Sequence, residues 1–343
     1  MTTQLPQTQK SVIFNIKTNK LSLEPSTPVP TSTTEHILAV HATAITNGEL
    51  TWAPFTNWPE HHVPCFDVSG TIATELPGSK FKIGDRVYGR IYAGREGAAR
   101  PYTTLAPSEA AIVPEGLKMT DAASVPMSAH TAWQALFEQG LLTGSFTSSS
   151  VPRVSDSGEI LGSDLAKGKR VLVLGAAGGV GLMAVQFAKL AGATVYGTAS
   201  SRNEEFLREL GVDGVVNYTK ISVKDWIAEA PSERKFDLVF DCVGGKAMLD
   251  GWFGVKEHGT YISVVPGFVE EPENGKPEGV RSKWFIMEAR GEELERVGRF
   301  FGKGLRATVD GVWGLEQWEE AFKRTGSGHA RGKVVIKVAK EEE

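Results

Sequence analysis

The spacing of apolar residues changes character near residue 170. Before it, short apolar runs and alternations stand between Pro and Gly breaks. Val12–Lys17, Glu35–Ala42, Asp67–Leu76 and Arg86–Ile91 are examples, and such patterns predict strands. Residues 121–138 instead predict a helix, with Thr120 as its cap. Beyond residue 170 the pattern becomes a regular strand–helix alternation. Runs near 171–174, 193–198, 214–217, 237–242 and 259–264 predict buried parallel strands with helices between them. The chain then passes a short apolar stretch, Trp284–Met287, a helix from about Glu292 and a last strand, Lys333–Val338. Together these predict an α/β protein: a doubly wound parallel sheet beside a β-rich domain. At 343 residues the chain exceeds what one core serves.

The densest signal lies at residues 171–202. Val171–Leu174 fits a buried strand, and Ala176-Ala177-Gly178-Gly179-Val180-Gly181 follows at once. Val180, Met183, Ala184, Phe187, Ala188 and Ala191 then recur at helical spacing. This is a GxGxxG variant with alanine at its first glycine position. Strand, glycine turn and helix in that order predict a Rossmann dinucleotide site, with a pyrophosphate on the helix N-terminus. Ala177, Gly178, Gly179 and Val180 are its candidate contacts.

An NAD site usually carries an acid about 20 residues further on. Here the strand end reads Thr198-Ala199-Ser200-Ser201-Arg202. No carboxylate would repel a 2′-phosphate, while hydroxyls and a guanidinium could hold one, which points to NADPH. Ser201-Arg202-Asn203-Glu204 also reads as a capping box, and Arg202 as a solvated helix-start residue.

Composition excludes other classes. A formal charge of −4 and a pI near 6.1 argue against a nucleic-acid surface. No apolar run reaches membrane-spanning length, and the N-terminus lacks the features of a targeting signal. Cys65 and Cys242 make no disulfide framework, so a reducing cytosol is expected. Residues 143–168 are rich in Ser and Gly, lack periodicity and read as a solvated insertion. Glu341-Glu342-Glu343 reads as a solvated tail.

Several segments carry a resemblance. They are His41–Asn47, Phe66-Asp67-Val68-Ser69-Gly70, Gly84-Asp85-Arg86-Val87, Ala123-Ser124-Val125-Pro126, Thr131-Ala132-Trp133, Ala176–Gly181, Asp241-Cys242-Val243-Gly244-Gly245 and Gly328–Val335. In this order they resemble the zinc-free medium-chain dehydrogenase/reductase superfamily, in its quinone oxidoreductase-like branch. The resemblance implies a GroES-like substrate domain from residues 1–128 and 286–343. It implies a Rossmann NADPH-binding domain from residues 129–285. It places Asn47 and Thr131 near a nicotinamide, and Tyr218, Cys242, Val243 and Lys333 around the cofactor. It also offers a homodimer joined through Rossmann edge strands. On the residues alone, Asn47 could instead hold a turn and Thr131 could be an ordinary helix residue.

No zinc site is expected. A catalytic zinc needs three Cys, His or Asp/Glu ligands. The family's first ligand cysteine would fall near Asn47-Gly48-Glu49, Phe66 replaces its histidine, and the four-cysteine lobe after Arg86 is missing. His61 and His62 look exposed, and His41 reads as structural. Without a metal, nothing generates an alkoxide, so an alcohol is a poor substrate. The expected reaction is hydride transfer from NADPH to an activated C=C bond or quinone: an enone, enal, enoyl thioester or quinone. Trp52 stands where several relatives carry a tyrosine and reads as an apolar wall of the substrate pocket. Tyr92 is a further pocket candidate; the proton that completes the reaction could come from water, with Tyr92 and Tyr102 as alternative sources. None of the six tyrosines has Lys four positions later, which removes the short-chain dehydrogenase pair. A ketone or aldehyde reductase and a non-catalytic NADPH-binding protein remain the alternatives.

Overall fold

A computed structural model describes residues 5–273 and 275–339. Its contacts divide the chain into two compact units. One runs up to Met127 and takes in Ala289–Phe301 and the chain from Arg306; the other is Ser128–Glu288 with Gly302–Leu305. Among the described residues, no helix is long and apolar enough to cross a membrane.

The first unit is built on a seven-stranded sheet. Its order is Val309–Gly314, Lys333–Lys337, His36–Ile45, Asp67–Ile72, Arg86–Arg90 and Ala110–Ile112, with Tyr102–Leu105 also pairing to His36–Ile45. The central strand His36–Ile45 is buried along almost all its length. A three-stranded sheet of Lys20–Pro28, Thr8–Asn15 and His61–His62 stands beside it. Lys20–Pro28 has no counterpart among the expected strands. Its apolar alternation is confined to Leu21 and Leu23, and the rest of it is polar and largely exposed, too little to announce a strand.

The second unit is a six-stranded parallel sheet. Its order is Gly214–Asn217, Thr194–Ala199, Arg170–Leu174, Phe236–Asp241, Val255–Ser263 and Arg281–Trp284. The chain starts in the middle, builds outward to one edge, then returns and builds to the other. That is the doubly wound Rossmann order, and it opens a crevice at the carboxyl ends of Arg170–Leu174 and Phe236–Asp241. These central strands show near-continuous burial, as strands covered on both faces must.

Alanine at the first motif glycine has a local explanation. A Cβ built on Gly197, in the neighbouring strand, would lie 2.5 Å from the Ala176 Cβ. The glycine has moved to the partner strand, and Ala176 fills the gap. The left-handed turn itself is made by Gly175, at φ +79°. Gly181 serves close packing: a Cβ there would meet the Gly175 carbonyl oxygen at 2.2 Å.

Three local expectations need correction. The helix over 121–138 is broken into Met119–Ala123 and Pro126–Trp133, followed by a π-helical turn, Gln134–Gln139. Pro126 has no N–H to continue the first segment. Thr120 is not the cap, because the helix begins one residue earlier with Lys118 in the cap position. The 143–168 stretch is not structureless. Arg153–Val154 pairs with Ile160–Leu161, Val151 and Val154 are buried, and Ser150 Oγ receives the Thr147 N–H at 2.6 Å. Hydroxyl-to-backbone bonds replace apolar periodicity there.

Gly181→Ala should destabilise the protein by about 1–3 kcal/mol through overpacking against Gly175. Gly178→Ala should change stability little, since its Cβ would sit 3.5 Å from the nearest atom at φ −81°. Urea denaturation of both variants checks the contrast.

Candidate functional site

The glycine turn is fastened to the adjacent strand. Gly175 N–H donates to Thr198 Oγ1 at 2.8 Å, and Ala176 N–H to the Thr198 carbonyl at 3.1 Å. The helix Gly179–Leu190 follows, with Gly178 at its cap and no side-chain cap bond. Its first intrahelical bond runs from Leu182 N–H to the Gly178 carbonyl. The N–H groups of Gly179, Val180 and Gly181 therefore precede the ladder and face outward with the positive end of the dipole. Bare N–H groups at a helix start form an anion cradle.

The end of Thr194–Ala199 stands beside this cradle. Ser200 Oγ is buried and has no hydrogen-bond partner in the protein. The expected capping box does not form. Asn217 Nδ2 donates to Ser201 Oγ at 2.8 Å and also to Glu204 Oε1, so the neighbouring strand takes both box residues. Glu204 also pairs with Arg208 and Lys220, which with Asn217 hold its carboxyl below the usual range. Ser200 and Ser201 carry no acid between them and Arg202, which is exposed at the start of the helical segment. Tyr218 follows Gly214–Asn217, is 55% exposed, and is bonded through its N–H to the Ala199 carbonyl.

Asp241 closes the other side of the crevice. Its buried carboxylate accepts the N–H groups of Val243 and Gly244, both at 2.9 Å, and the Ser263 hydroxyl at 2.8 Å. It thereby shapes the turn that carries Cys242 and Val243. The Val243 side chain fills the space beside Gly175, where a Cβ would meet its Cγ2 at 2.6 Å. Burial and the Asp241 charge push the Cys242 thiol well above its usual range, so it is no nucleophile at neutral pH. Ala177, Gly178, Gly179, Val180, Ser200, Ser201, Arg202, Tyr218, Cys242 and Val243 thus gather at one end of the parallel sheet. Thr131 belongs to the same unit and is buried in Pro126–Trp133.

Asn47, Trp52, Tyr92 and Lys333 belong to the other unit. Asn47 is exposed at a tight turn before Gly48, whose φ is +81°. Trp52 stacks on Phe66 at 5.7 Å, and the Arg90 guanidinium lies over both rings. Tyr92 is 65% exposed and rests on Gly94 rather than in the core. Lys333 turns inward: its Nζ lies 3.0 Å from Asp67 Oδ2 and donates to Thr46 Oγ1 at 2.9 Å. Its ammonium is therefore paired within its own unit. Asp67 Oδ1 also accepts the Met127 N–H at 2.7 Å.

The histidines are only partly as expected. His61 is exposed, but His62 is fully buried, stacked on Trp58 at 4.0 Å and 3.5 Å from Glu96. The aromatic rings around it explain the burial of a residue that looked exposed. His41 Nε2 lies 3.1 Å from Thr71 Oγ1, consistent with a structural role. Among the described residues, no group of three or more His, Cys, Asp or Glu side chains is placed to hold a metal ion. Sequence reading missed the roles of Glu49, Asp67 and Asp241, because buried carboxylates at the ends of strands and helices resemble ordinary surface acids. A clue was available for Asp67 and Asp241: each ends or begins an apolar run.

The family model for zinc-binding dehydrogenases matches residues 210–336, which excludes Asn47 and Phe66. A probable zinc-binding oxidoreductase, mitochondrial, of Arthroderma benhamiae is 42% identical over 98% of this chain and 98% of its own. The NADPH-dependent alkenal/one oxidoreductase, chloroplastic, of Arabidopsis thaliana is 29% identical over 82% of this chain and 65% of its own. The solved quinone oxidoreductase of Coxiella burnetii superposes with a TM-score of 0.79 at 26% identity, over 97% of this chain and 100% of that one.

Lys333→Met should destabilise the fold by about 3–5 kcal/mol by leaving the Asp67 charge buried and unpaired. Lys333→Met combined with Asp67→Leu should recover much of that loss. Chemical denaturation of the single and double variants measures both.

Proposed function

The chain belongs to the medium-chain dehydrogenase/reductase superfamily, with its quinone oxidoreductase-like members, and from that premise we propose an NADPH-dependent reductase of activated C=C bonds or quinones that works without zinc. The observation that carries the cofactor choice is the strand end at Ser200. A buried hydroxyl without a protein partner stands where an acid would select NAD, and Arg202 follows it. Glu204, the nearest acid in sequence, is taken up by Asn217, Arg208 and Lys220. The N–H groups of Gly179 and Val180 suit a pyrophosphate, so the residues present fit a dinucleotide.

The nicotinamide, when bound, supplies the hydride. The protein's part is to bind, orient and meet the developing charge. Reduction of an enone places negative charge on its carbonyl oxygen, which needs a donor in position. The resemblance is what assigns Asn47 and Thr131 to the nicotinamide's surroundings, and their amide and hydroxyl suit hydrogen bonds to its carboxamide or to the substrate. Trp52, fixed by Phe66 and Arg90, forms an apolar wall for the substrate. Its indole N–H cannot relay a proton, so water supplies the proton that completes the reduction. Zinc independence rests on the donor set. Phe66 and Asn47 stand where the resemblance calls for ligands, and Lys333 neutralises the nearby Asp67. The name of the Arabidopsis relative supports the alkenal or enone class, and the Coxiella structure the quinone class. The free thiols of Cys65 and Cys242 suit a reducing compartment, which we take as the cytosol; the A. benhamiae relative is designated mitochondrial.

Arg202→Ala should weaken NADPH about 10–100-fold and leave NADH nearly unchanged, the size of one charge-assisted bond. Ser200→Asp with Arg202→Ala should favour NADH. Titration of each variant with both cofactors decides it; equal losses for the two would make Arg202 a mere helix-start residue. With chelator-treated enzyme and deuterated NADPH, the label should appear at the β-carbon of an enone. Label only on the carbinol carbon of simple ketones would overturn the assignment.

A further inference from the structure

Glu49 lies two residues beyond Asn47 and is only 1% exposed. Its Oε2 accepts the Thr46 N–H and its Oε1 the Cys65 N–H, both at 2.9 Å. One carboxylate thus fastens two separate segments. Thr46 leads directly into the Asn47 turn. Cys65 leads into Phe66, on which Trp52 stacks. Cys65 itself has φ +70°, a left-handed conformation that a residue with a side chain keeps only when its surroundings impose it. Its carbonyl accepts the Ala98 N–H at 2.6 Å, so the strained residue is held from both sides.

We propose that Glu49 is a positioning residue whose carboxylate holds the Asn47 turn and the Phe66–Trp52 wall in one fixed relation. The proposal rests on the reading of Asn47 and Trp52 as site residues. It differs from a purely structural role because the clasp is chargeable. Burial raises the Glu49 carboxyl to about 7, against the lowering effect of the Thr46 N–H, Lys333 and the Cys65 N–H. The other charged groups facing it are Lys333 and Asp67, paired across the strand His36–Ile45, and Arg90 over the Trp52 and Phe66 rings. The Cys65 thiol is pushed well up by burial and by Glu49, so it keeps its proton in the neutral range. Glu49 thus changes its charge in that range; His62, stacked on the far side of the wall against Trp58 and Phe66, is the other titratable group near it. Above its pKa the carboxylate accepts both N–H groups. Below it, the added proton points at one of them and that bond is lost. The clasp is closed on the alkaline side and half-open on the acid side.

The test is an NMR titration of the full chain, followed by kinetics. In the wild type, the Thr46 and Cys65 amide resonances should shift together with a midpoint near the Glu49 value, and in Glu49→Gln they should not. Wild-type kcat with NADPH and an enone should fall as pH drops through that midpoint. Glu49→Gln, which retains only one acceptor, should show about tenfold lower kcat with a flat profile and an unchanged KM for NADPH. Amides that do not titrate, or that titrate alike in both proteins, overturn the proposal. So does a variant with the wild-type kcat profile. Should Glu49→Gln fail to fold, the wild-type titration still decides the clasp. Amides that titrate as expected beside a fully active Asn47→Ala would instead overturn the reading of the site and leave the clasp standing.

Discussion

A lysine and an aspartate that lie far apart in sequence meet in the interior, and the first unit is organised around that meeting. Lys333 enters at the start of its strand and finds Asp67 at the start of another, across the strand His36–Ile45. Desolvating two charges is expensive, and only close pairing with further hydrogen bonds offsets it. Those bonds are present: Thr46 Oγ1 accepts one hydrogen bond from the ammonium, and the Met127 N–H donates to the second carboxylate oxygen. The pair therefore joins the central strands, the Asn47 turn and the entry to the helix Pro126–Trp133. A register slip would strand both charges, which gives the sheet a reason to form in one alignment only.

The parallel unit solves a different problem. Its site is made almost wholly of backbone, and backbone must be held without blocking its N–H groups. Thr198 does this for Gly175 and Ala176, and Asp241 does it for Val243 and Gly244. Each uses one side chain at a strand end to fix a turn that opens toward the crevice. What is left exposed is a rim of N–H groups, hydroxyls and one guanidinium, the kinds of group that suit phosphates rather than a particular substrate.

The two kinds of construction explain what could be read from the sequence. The Rossmann strands and the phosphate turn were legible because their signals are local: a buried run, glycines at close spacing, then helical periodicity within 171–191. Even the alanine at the first glycine position has its compensation at Gly197, one strand later. The polar interior of the other unit was not legible. Lys333 and Asp67 are joined only in three dimensions, and nothing beside Glu49 in the chain announces that Cys65 will be its partner. His62 looked exposed because its cover, Trp58 and Phe66, is aromatic packing that no periodicity reports. The capping box failed for the same reason: Asn217, on another strand, outcompeted the local bonds.

The seven-stranded sheet has a temporal consequence. Its second strand, Lys333–Lys337, lies between Val309–Gly314 and His36–Ile45, so the sheet is divided until residues beyond 330 have left the ribosome. The parallel unit, Gly302–Leu305 included, has by then been fully synthesised. Domains fold as units during synthesis. The nucleotide-binding half can thus settle while the Ala42–Ile45 end of the strand His36–Ile45, beyond the stretch that Tyr102–Leu105 covers, still waits with one edge open, exposed to whatever else in the cell offers a strand. Nascent chains of this protein carry that open edge for most of their translation, and it is there that a chaperone has something to protect.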